Sequence, residues 1–147
     1  MKTKAIIFDV DGTLSDCSHR RPFYEAGNKK AFFDPENVMK DEPIKEVVRL
    51  SQILSYHNFT ILVVTARKES DRQITEQWLK QNCVPYDALY MRANNDPRDD
   101  AFVKREILDE IRVKYPNIFC VFDDRDHVVS MWRNAGLRCF QVAPGNF

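Results

Sequence analysis

A stretch of strand length and composition, Lys4 to Phe8, runs directly into Asp9-Val10-Asp11-Gly12-Thr13-Leu14, and this junction constrains the chain more than any other. On an extended chain the side chains of residues i and i+2 point the same way, so Asp9 and Asp11 are expected to converge at the carboxyl end of the strand. In open α/β sheets, ligands bind at that end. Two carboxylates brought close repel one another, and a divalent cation is the usual remedy. Mg²⁺ suits the position, since it takes oxygen ligands and commonly one or two carboxylates together with phosphate oxygens. The same residues could form no more than a turn after a strand, and the other segments of the chain bear on that choice.

Those segments alternate between strand and helix. Residues 12–42 show no sustained periodicity and hold Pro22, Gly27 and Pro35, so they are expected to be a loop with one short helix or hairpin. A helix is predicted from Asp41 or Glu42, with Pro43 in its first turn, to about Tyr56, with Ile44, Val47, Val48, Leu50, Ile53 and Leu54 inward and Asn58 as its stop. Phe59 to Val64 reads as a second buried strand, Glu69 to Gln81 as a helix with Ile74, Trp78 and Leu79 inward, and Ala88 to Met91 as a short strand. A polar loop over 92–100 leads to a helix over 101–114 with Phe102, Val103, Ile107, Leu108 and Ile111 inward. Ile118 to Phe122 is a third buried strand, Asp126 to Ala135 a helix stopped by Gly136, and Leu137 to Val142 a last strand. This order predicts an α/β fold, a central parallel sheet with helices on both faces. With 147 residues, the chain is expected to be one domain, with a flap at about 15–42.

Three further segments echo the first junction. Thr65 and Arg67 follow the strand Ile61 to Val64, Lys104 lies on the helix over 101–114, and Asp123-Asp124 follows the strand Ile118 to Phe122. Together with DVDGTL, these four, in this order, resemble the motifs of the haloacid dehalogenase superfamily of phosphotransferases. The resemblance implies a Rossmann-like haloacid dehalogenase fold.

Phosphoryl transfer requires a nucleophile, a proton donor for the leaving oxygen, a cation and fixed positive charge on the remaining phosphate oxygens. Asp9 is the candidate nucleophile, forming an aspartyl-phosphate, and Asp11 the candidate general acid and then base. The resemblance implies the same roles and places the metal at Asp9, the backbone carbonyl of Asp11, and Asp124. Asp123 and Asp124 could also cap the next helix, whose N-terminus favours acids. Thr65 offers a hydroxyl and Arg67 a guanidinium to phosphate oxygens. Asp100 and Lys104 share a helix face, so either they pair with each other or Lys104 meets the phosphate while Asp100 supports the metal site. Arg125, beside Asp124, is either a neighbour of the cap or a substrate contact. His19, His57 and His127 are expected at the surface or in loops, and Trp78 and Trp132 in the core.

Longer stretches are similar to the 3′-phosphatase domains of bacteriophage polynucleotide kinases. They are Asp9 to Leu14 with Arg20 and Pro22-Phe23, Val63 to Glu69, Asp96 to Ile107, Phe122 to Arg125 with Val128-Val129 and Met131-Trp132-Arg133, and the ending Cys139 to Phe147. This similarity implies action on a 3′-phosphate or 2′,3′-cyclic phosphate at a DNA or RNA end, with Arg20 and Arg67 on the phosphate or the neighbouring backbone. The chain departs from the pattern in Thr65-Ala66, in the acidic cluster Asp99-Asp100, which leaves either acid to serve the site, and throughout 24–42. No G-x-x-x-x-G-K-[ST] occurs, so no 5′-kinase activity is expected of this chain, and a kinase would be a separate domain or partner. The enzyme alternative is a phosphatase for nucleotides or other small phosphate esters, and the non-enzyme alternative is a nucleic-acid-binding module without turnover.

The family's separate cap domain has no room here. The helix and strand over 43–64 use most of the stretch between Asp9 and Thr65 and leave roughly thirty residues. An uncapped site is expected to use a macromolecular substrate or a second subunit for closure. Lys+Arg and Asp+Glu both number 22, so no global basic field advertises nucleic acid. No apolar run reaches membrane-span length, and Met1-Lys2-Thr3-Lys4 leads straight into a strand, which argues against a cleaved signal peptide. Cys17, Cys83, Cys120 and Cys139 lack metal-site spacing and are expected as reduced thiols, in keeping with a cytoplasmic protein.

Overall fold

The computed structural model describes residues 4–147. Five parallel strands form the central sheet in the order β5-β4-β1-β6-β7. They are β1 (Ala5–Phe8), β4 (Thr60–Lys68), β5 (Ala88–Arg92), β6 (Ile118–Asp123) and β7 (Cys139–Gln141). β1 is buried on both faces, and its period of two feeds two separate cores. Ile6 and Phe8 join Ile61, Val63 and Leu89 beneath α4 (Lys45–Tyr56) and α5 (Arg72–Gln81), which supply Val47, Val48, Trp78 and Leu79. Ala5 and Ile7 join Leu62, Val64 and Val121 beneath α6 (Asp100–Lys114) and α7 (Asp126–Asn134), which supply Val103, Leu108, Ile111, Val128 and Trp132. The α/β reading and the expected core positions of both tryptophans hold. No helix among the described residues is long and apolar enough to cross a membrane.

The chain runs outward from β1 to β4 and β5, then returns past β1 to β6 and β7. The crevice where strand order reverses therefore lies at the carboxyl ends of β1, β4 and β6, where a parallel sheet offers a binding site.

Several expectations are corrected. Residues 12–42 are more ordered than a loop with one helix or hairpin. Ser15–Asp16 (β2) pairs antiparallel with Glu42–Pro43 (β3) and closes the base of the flap. Between them lie a 3-10 turn (Ser18–Arg20) and three short helices, α1 (Arg21–Glu25), α2 (Lys29–Phe32) and α3 (Pro35–Val38). Asn28 and Asp34 cap α2 and α3 through side-chain oxygens, and Pro35 occupies the first position of α3. Pro43 sits in β3 rather than in a helix, and α4 starts after Ile44, whose N–H donates to the Leu14 carbonyl at 2.8 Å. β4 runs on to Lys68, Glu69–Asp71 is a 3-10 turn ahead of α5, and β7 is only three residues long. Leu50, Ile53 and Phe102 lie exposed rather than inward. Asn58 (φ 69°) does end α4, and Gly136 (φ 87°) follows α7. No further sheet-and-helix unit is inserted on either side of β4 among the described residues, so the site carries a flap and no large cap domain.

Candidate active site

β1 and β6 end side by side, and the Asp9 N–H donates to the Phe122 carbonyl at 3.0 Å. This register brings Asp9, Asp123 and Asp124 together, each buried, with one carboxylate oxygen of each within 4.8 Å of the others. Lys104 projects from α6 into the same place. Its Nζ donates to Asp9 Oδ1 at 2.7 Å and to Asp123 Oδ2 at 2.9 Å. Trp132 Nε1 also donates to Asp123 Oδ2, at 3.0 Å, and the Asp124 N–H donates to Asp123 Oδ1 at 2.8 Å. Asp123 is thus fully engaged in orienting its neighbours. Thr13 Oγ1 reaches both Asp9 Oδ2 (3.1 Å) and Asp124 Oδ1 (3.3 Å).

Asp11 does not join this trio, contrary to the i, i+2 expectation. The chain stops being extended at Asp9. The N–H groups of Thr13, Leu14 and Ser15 all turn back to the Val10 carbonyl, and Gly12 takes φ +88°. Asp11 instead meets two guanidinium groups. Arg67 binds it in a bidentate fork, Nε to Oδ2 at 2.9 Å and Nη2 to Oδ1 at 2.6 Å, and Arg20 Nη2 adds a bond to Oδ1 at 2.8 Å. Both Asp11 carboxylate oxygens are thus held by guanidinium groups, away from the acidic trio. A Cβ on Gly12 would come within 2.2 Å of Asp124 Oδ2, so only glycine fits this turn.

The remaining expected residues divide. Lys104 pairs with Asp9 and Asp123 and not with Asp100. Asp100 instead bonds Arg92 and Arg125, and Asp99 caps α6, which separates the two acids by role. Thr65 is buried, and its Oγ1 accepts the Arg67 N–H at 3.2 Å, while Ala66, Arg67 and Lys68 line the cleft. His19 and His57 are exposed as expected, whereas His127 lies in α7, half-buried. Asp41 was not singled out by its sequence context. Its side chain is fully buried and takes Arg20 Nε at 2.8 Å, Arg20 Nη2 at 2.6 Å and His19 Nε2 at 2.7 Å. Gly145 was equally silent, and any Cβ there would strike the Asp124 carbonyl at 1.9 Å.

Electrostatics sort the acids into two kinds. Burial first, then the charge of Asp123, raises Asp9 well above the usual carboxylate range, with Lys104 opposing. The same two causes push Asp124 up to about 6. Burial alone would raise Asp11 too, but the charge and hydrogen bonds of Arg67 and then Arg20 outweigh it and hold its carboxyl far below that range. Burial would lower Lys104, yet Asp123 and Asp9 overcome it and keep the ammonium charged. Asp9 and Asp124 thus form an electron-rich pair of hard oxygen donors under mutual strain, which is what a divalent metal relieves. All of them open on one cleft of about 870 Å³.

The sequence profile of the polynucleotide kinase PNKP phosphatase domain matches residues 3–147. The chain belongs to this family. Solved structures of a Pnkp1/Rnl/Hen1 complex are similar to it as well. A chain in the Pnkp1/Rnl/Hen1 RNA repair complex superposes with a TM-score of 0.86 at 33% identity, covering 99% of this chain and 44% of that one. A second structure of the Pnkp1/Rnl/Hen1 complex gives 0.83, again at 33% identity, over 99% of this chain and 48% of the other. A protein of Autographa californica nuclear polyhedrosis virus, assigned as a bifunctional polynucleotide kinase/RNA ligase, is 30% identical over 134 residues, 89% of this chain and 18% of the viral one. A haloacid dehalogenase-like hydrolase from Streptococcus pneumoniae shares the fold with a TM-score of 0.68 at 16% identity, over 94% of this chain and 83% of that one. The PNKP phosphatase module here spans less than half the length of the repair-complex chains and under a fifth of the viral protein.

Proposed function

We propose that the chain is a Mg²⁺-dependent polynucleotide 3′-phosphatase acting through an aspartyl-phosphate on Asp9. The observation that carries this reading is the parting of the two acids of the first motif. Asp9 is held by Lys104 beside Asp123 and Asp124, and Asp11 is held by Arg67 and Arg20. A nucleophile that must be ionised sits beside fixed positive charge, and a separate carboxylate stands ready for proton transfer.

A carboxylate oxygen of Asp9 attacks phosphorus, the bond from phosphorus to O3′ breaks, and O3′ takes a proton from Asp11. Water then attacks the phosphoryl group, gives its proton to Asp11, and releases inorganic phosphate and free Asp9. Asp11 is ionised in the resting site, ready for the second half. For the first half it must take up a proton from solvent, and phosphate binding favours that uptake. Phosphate oxygens draw Arg67 away from Asp11, which removes the main force holding its carboxyl low. Asp9 and Asp124, with the Asp11 carbonyl, would hold Mg²⁺, which supplies positive charge to the transferring phosphoryl group. Among the described residues Thr65 donates its hydroxyl proton to no acceptor, and it joins Arg67 and Lys104 as a donor to phosphate oxygens. Asp123 positions Lys104, and Asp100 holds Arg125 at the cleft.

The RNA repair complex and the kinase/RNA ligase among the relatives support an RNA end as substrate and a place in end repair. The product would be the free 3′-hydroxyl that any ligation step consumes, so a kinase and a ligase are the expected partner activities. The test compares phosphate release with Mg²⁺ from RNA and DNA oligonucleotides bearing only a 3′-phosphate, the same strands with only a 5′-phosphate, a 3′-mononucleotide and an aryl phosphate. The reading expects a strong preference for the 3′-phosphorylated oligonucleotide. A mononucleotide that reacts faster would favour a small-ester phosphatase, and binding without release would favour a non-catalytic module.

A further inference from the structure

The cleft extends well beyond the acids that the chemistry needs, to a lip formed by the flap on one side and the end of β4 on the other. Tyr24, Lys29, Lys30 and Phe33 line the flap side, and Lys68 lines the opposite side. Of the arginines around the cleft, Arg21 stacks on the Phe147 ring, and the others are held by carboxylates or the catalytic floor. Arg92 and Arg125 bond Asp100, and Arg98 is bound by Asp96 and Glu106. Lys29, Lys30 and Lys68 are exposed and bond no carboxylate among the described residues. The aromatic wall is tied to the catalytic floor. Tyr24 and Phe33 both pack on Phe32, with ring centroids 5.2 Å and 4.8 Å away. Phe32 lies under the Arg20 guanidinium, 4.4 Å from ring centroid to carbon, and its carbonyl accepts Arg20 Nη1 at 2.7 Å. Arg20 in turn bonds Asp11.

We propose that this lip is a binding site for the single-stranded segment leading to the 3′ end, with Lys29, Lys30 and Lys68 on backbone phosphates and Phe33 and Tyr24 stacking a base. The inference rests on the polynucleotide reading above and adds to it where the strand lies and that it is unpaired. Free cations with aromatic faces between them are what a single strand recognises without regard to sequence. A base inside a duplex has both faces covered by its neighbours and has none to offer Phe33. The lip also explains how a protein of zero net charge can hold a polyanion, since its lysines stand unpaired beside arginines that carboxylates neutralise. The flap sequence that departs most from the family pattern supplies all of these residues except Lys68.

Fluorescence anisotropy with short labelled single strands of RNA and of DNA ending in a 3′-hydroxyl tests this without turnover. For three lysine contacts, the plot of log K against log salt concentration should slope at about −2. Lys29→Gln/Lys30→Gln should flatten it by about 1.4 and Lys68→Gln by about 0.7. Phe33→Leu should weaken binding roughly tenfold with the slope unchanged. In every variant the ratio of kcat/KM for the 3′-phosphorylated oligonucleotide to that for an aryl phosphate should fall. Binding of either strand with these slopes supports the inference, and the tighter strand names the source. Slopes that survive all the lysine changes, or a blunt duplex bound as tightly as a single strand, would overturn it while leaving a 3′-phosphate preference standing. A wild-type enzyme that prefers the mononucleotide would instead remove the polynucleotide reading and this inference together.

Discussion

Asp124 is placed at a disadvantage that a proton or a cation relieves. Its carboxyl is pushed up to about 6 by burial and by Asp123, against about 3.9 in an unfolded chain. An acid raised by folding stabilises the native state below its unfolded value, and that contribution is lost as pH rises through its folded value. The metal-free protein should therefore lose about 2 kcal/mol between pH 4 and pH 7 from this residue. Asp124→Asn should melt higher than the wild type at pH 7.5 in chelator and lose activity. Added Mg²⁺ should raise the melting temperature of the wild type and not of the variant, and an equal rise in both would remove Asp124 from the metal site. Asp41 presents the opposite case. Its buried carboxylate satisfies Arg20 and His19, and removing one partner of a buried pair costs about 3–5 kcal/mol. Asp41→Asn should lower the urea midpoint accordingly and reduce turnover through Arg20, whereas Glu42→Gln, exposed on the neighbouring strand, should do neither.

At the scale of elements, the turn after β6 depends on a segment far along the chain. The Gly145 carbonyl accepts the Asp126 N–H at 2.8 Å, and Gln141 Nε2 donates to the Asp124 carbonyl at 2.9 Å. A methyl group on Gly145 would overlap Asp124 and Arg125 main-chain atoms. Gly145→Ala should cut activity at least tenfold with little change in far-ultraviolet circular dichroism, because it displaces Asp124 and not the sheet. An unaltered rate would show that the ending does not hold the site. The five strands of the central sheet were legible as apolar runs, and the four long helices because each runs long enough to show its period. The flap was not, since helices of four or five residues, set by an Asn28 cap or an Asp34-Pro35 start, are too short to show one. Leu50, Ile53 and Phe102 kept the helical spacing yet lie outside the cores, which periodicity alone could not separate. Candidate site residues were legible where they follow a strand end, and Lys104 by its place on α6 in the order of the motifs. Asp41 follows no strand and has an ordinary neighbourhood, and the turn at Val10 that sends Asp11 to the arginines is a property of the folded chain.

For the molecule as a whole, a sheet with its reversal at β1 gathers four separated motifs into one cleft. It leaves that cleft covered by a flap instead of a domain. On the proposed reading, a strand end rather than a small ester, or a second subunit, would complete its closure. The central claim is that the phosphoryl group passes through Asp9. Single-turnover rapid quench of an RNA oligonucleotide carrying a radiolabelled 3′-phosphate measures it most directly, with protein-bound and free label followed together. The account predicts a transient protein-bound label that decays into free phosphate, and neither signal in a folded Asp9→Asn protein. Release of phosphate by Asp9→Asn at a rate near that of the wild type would contradict it.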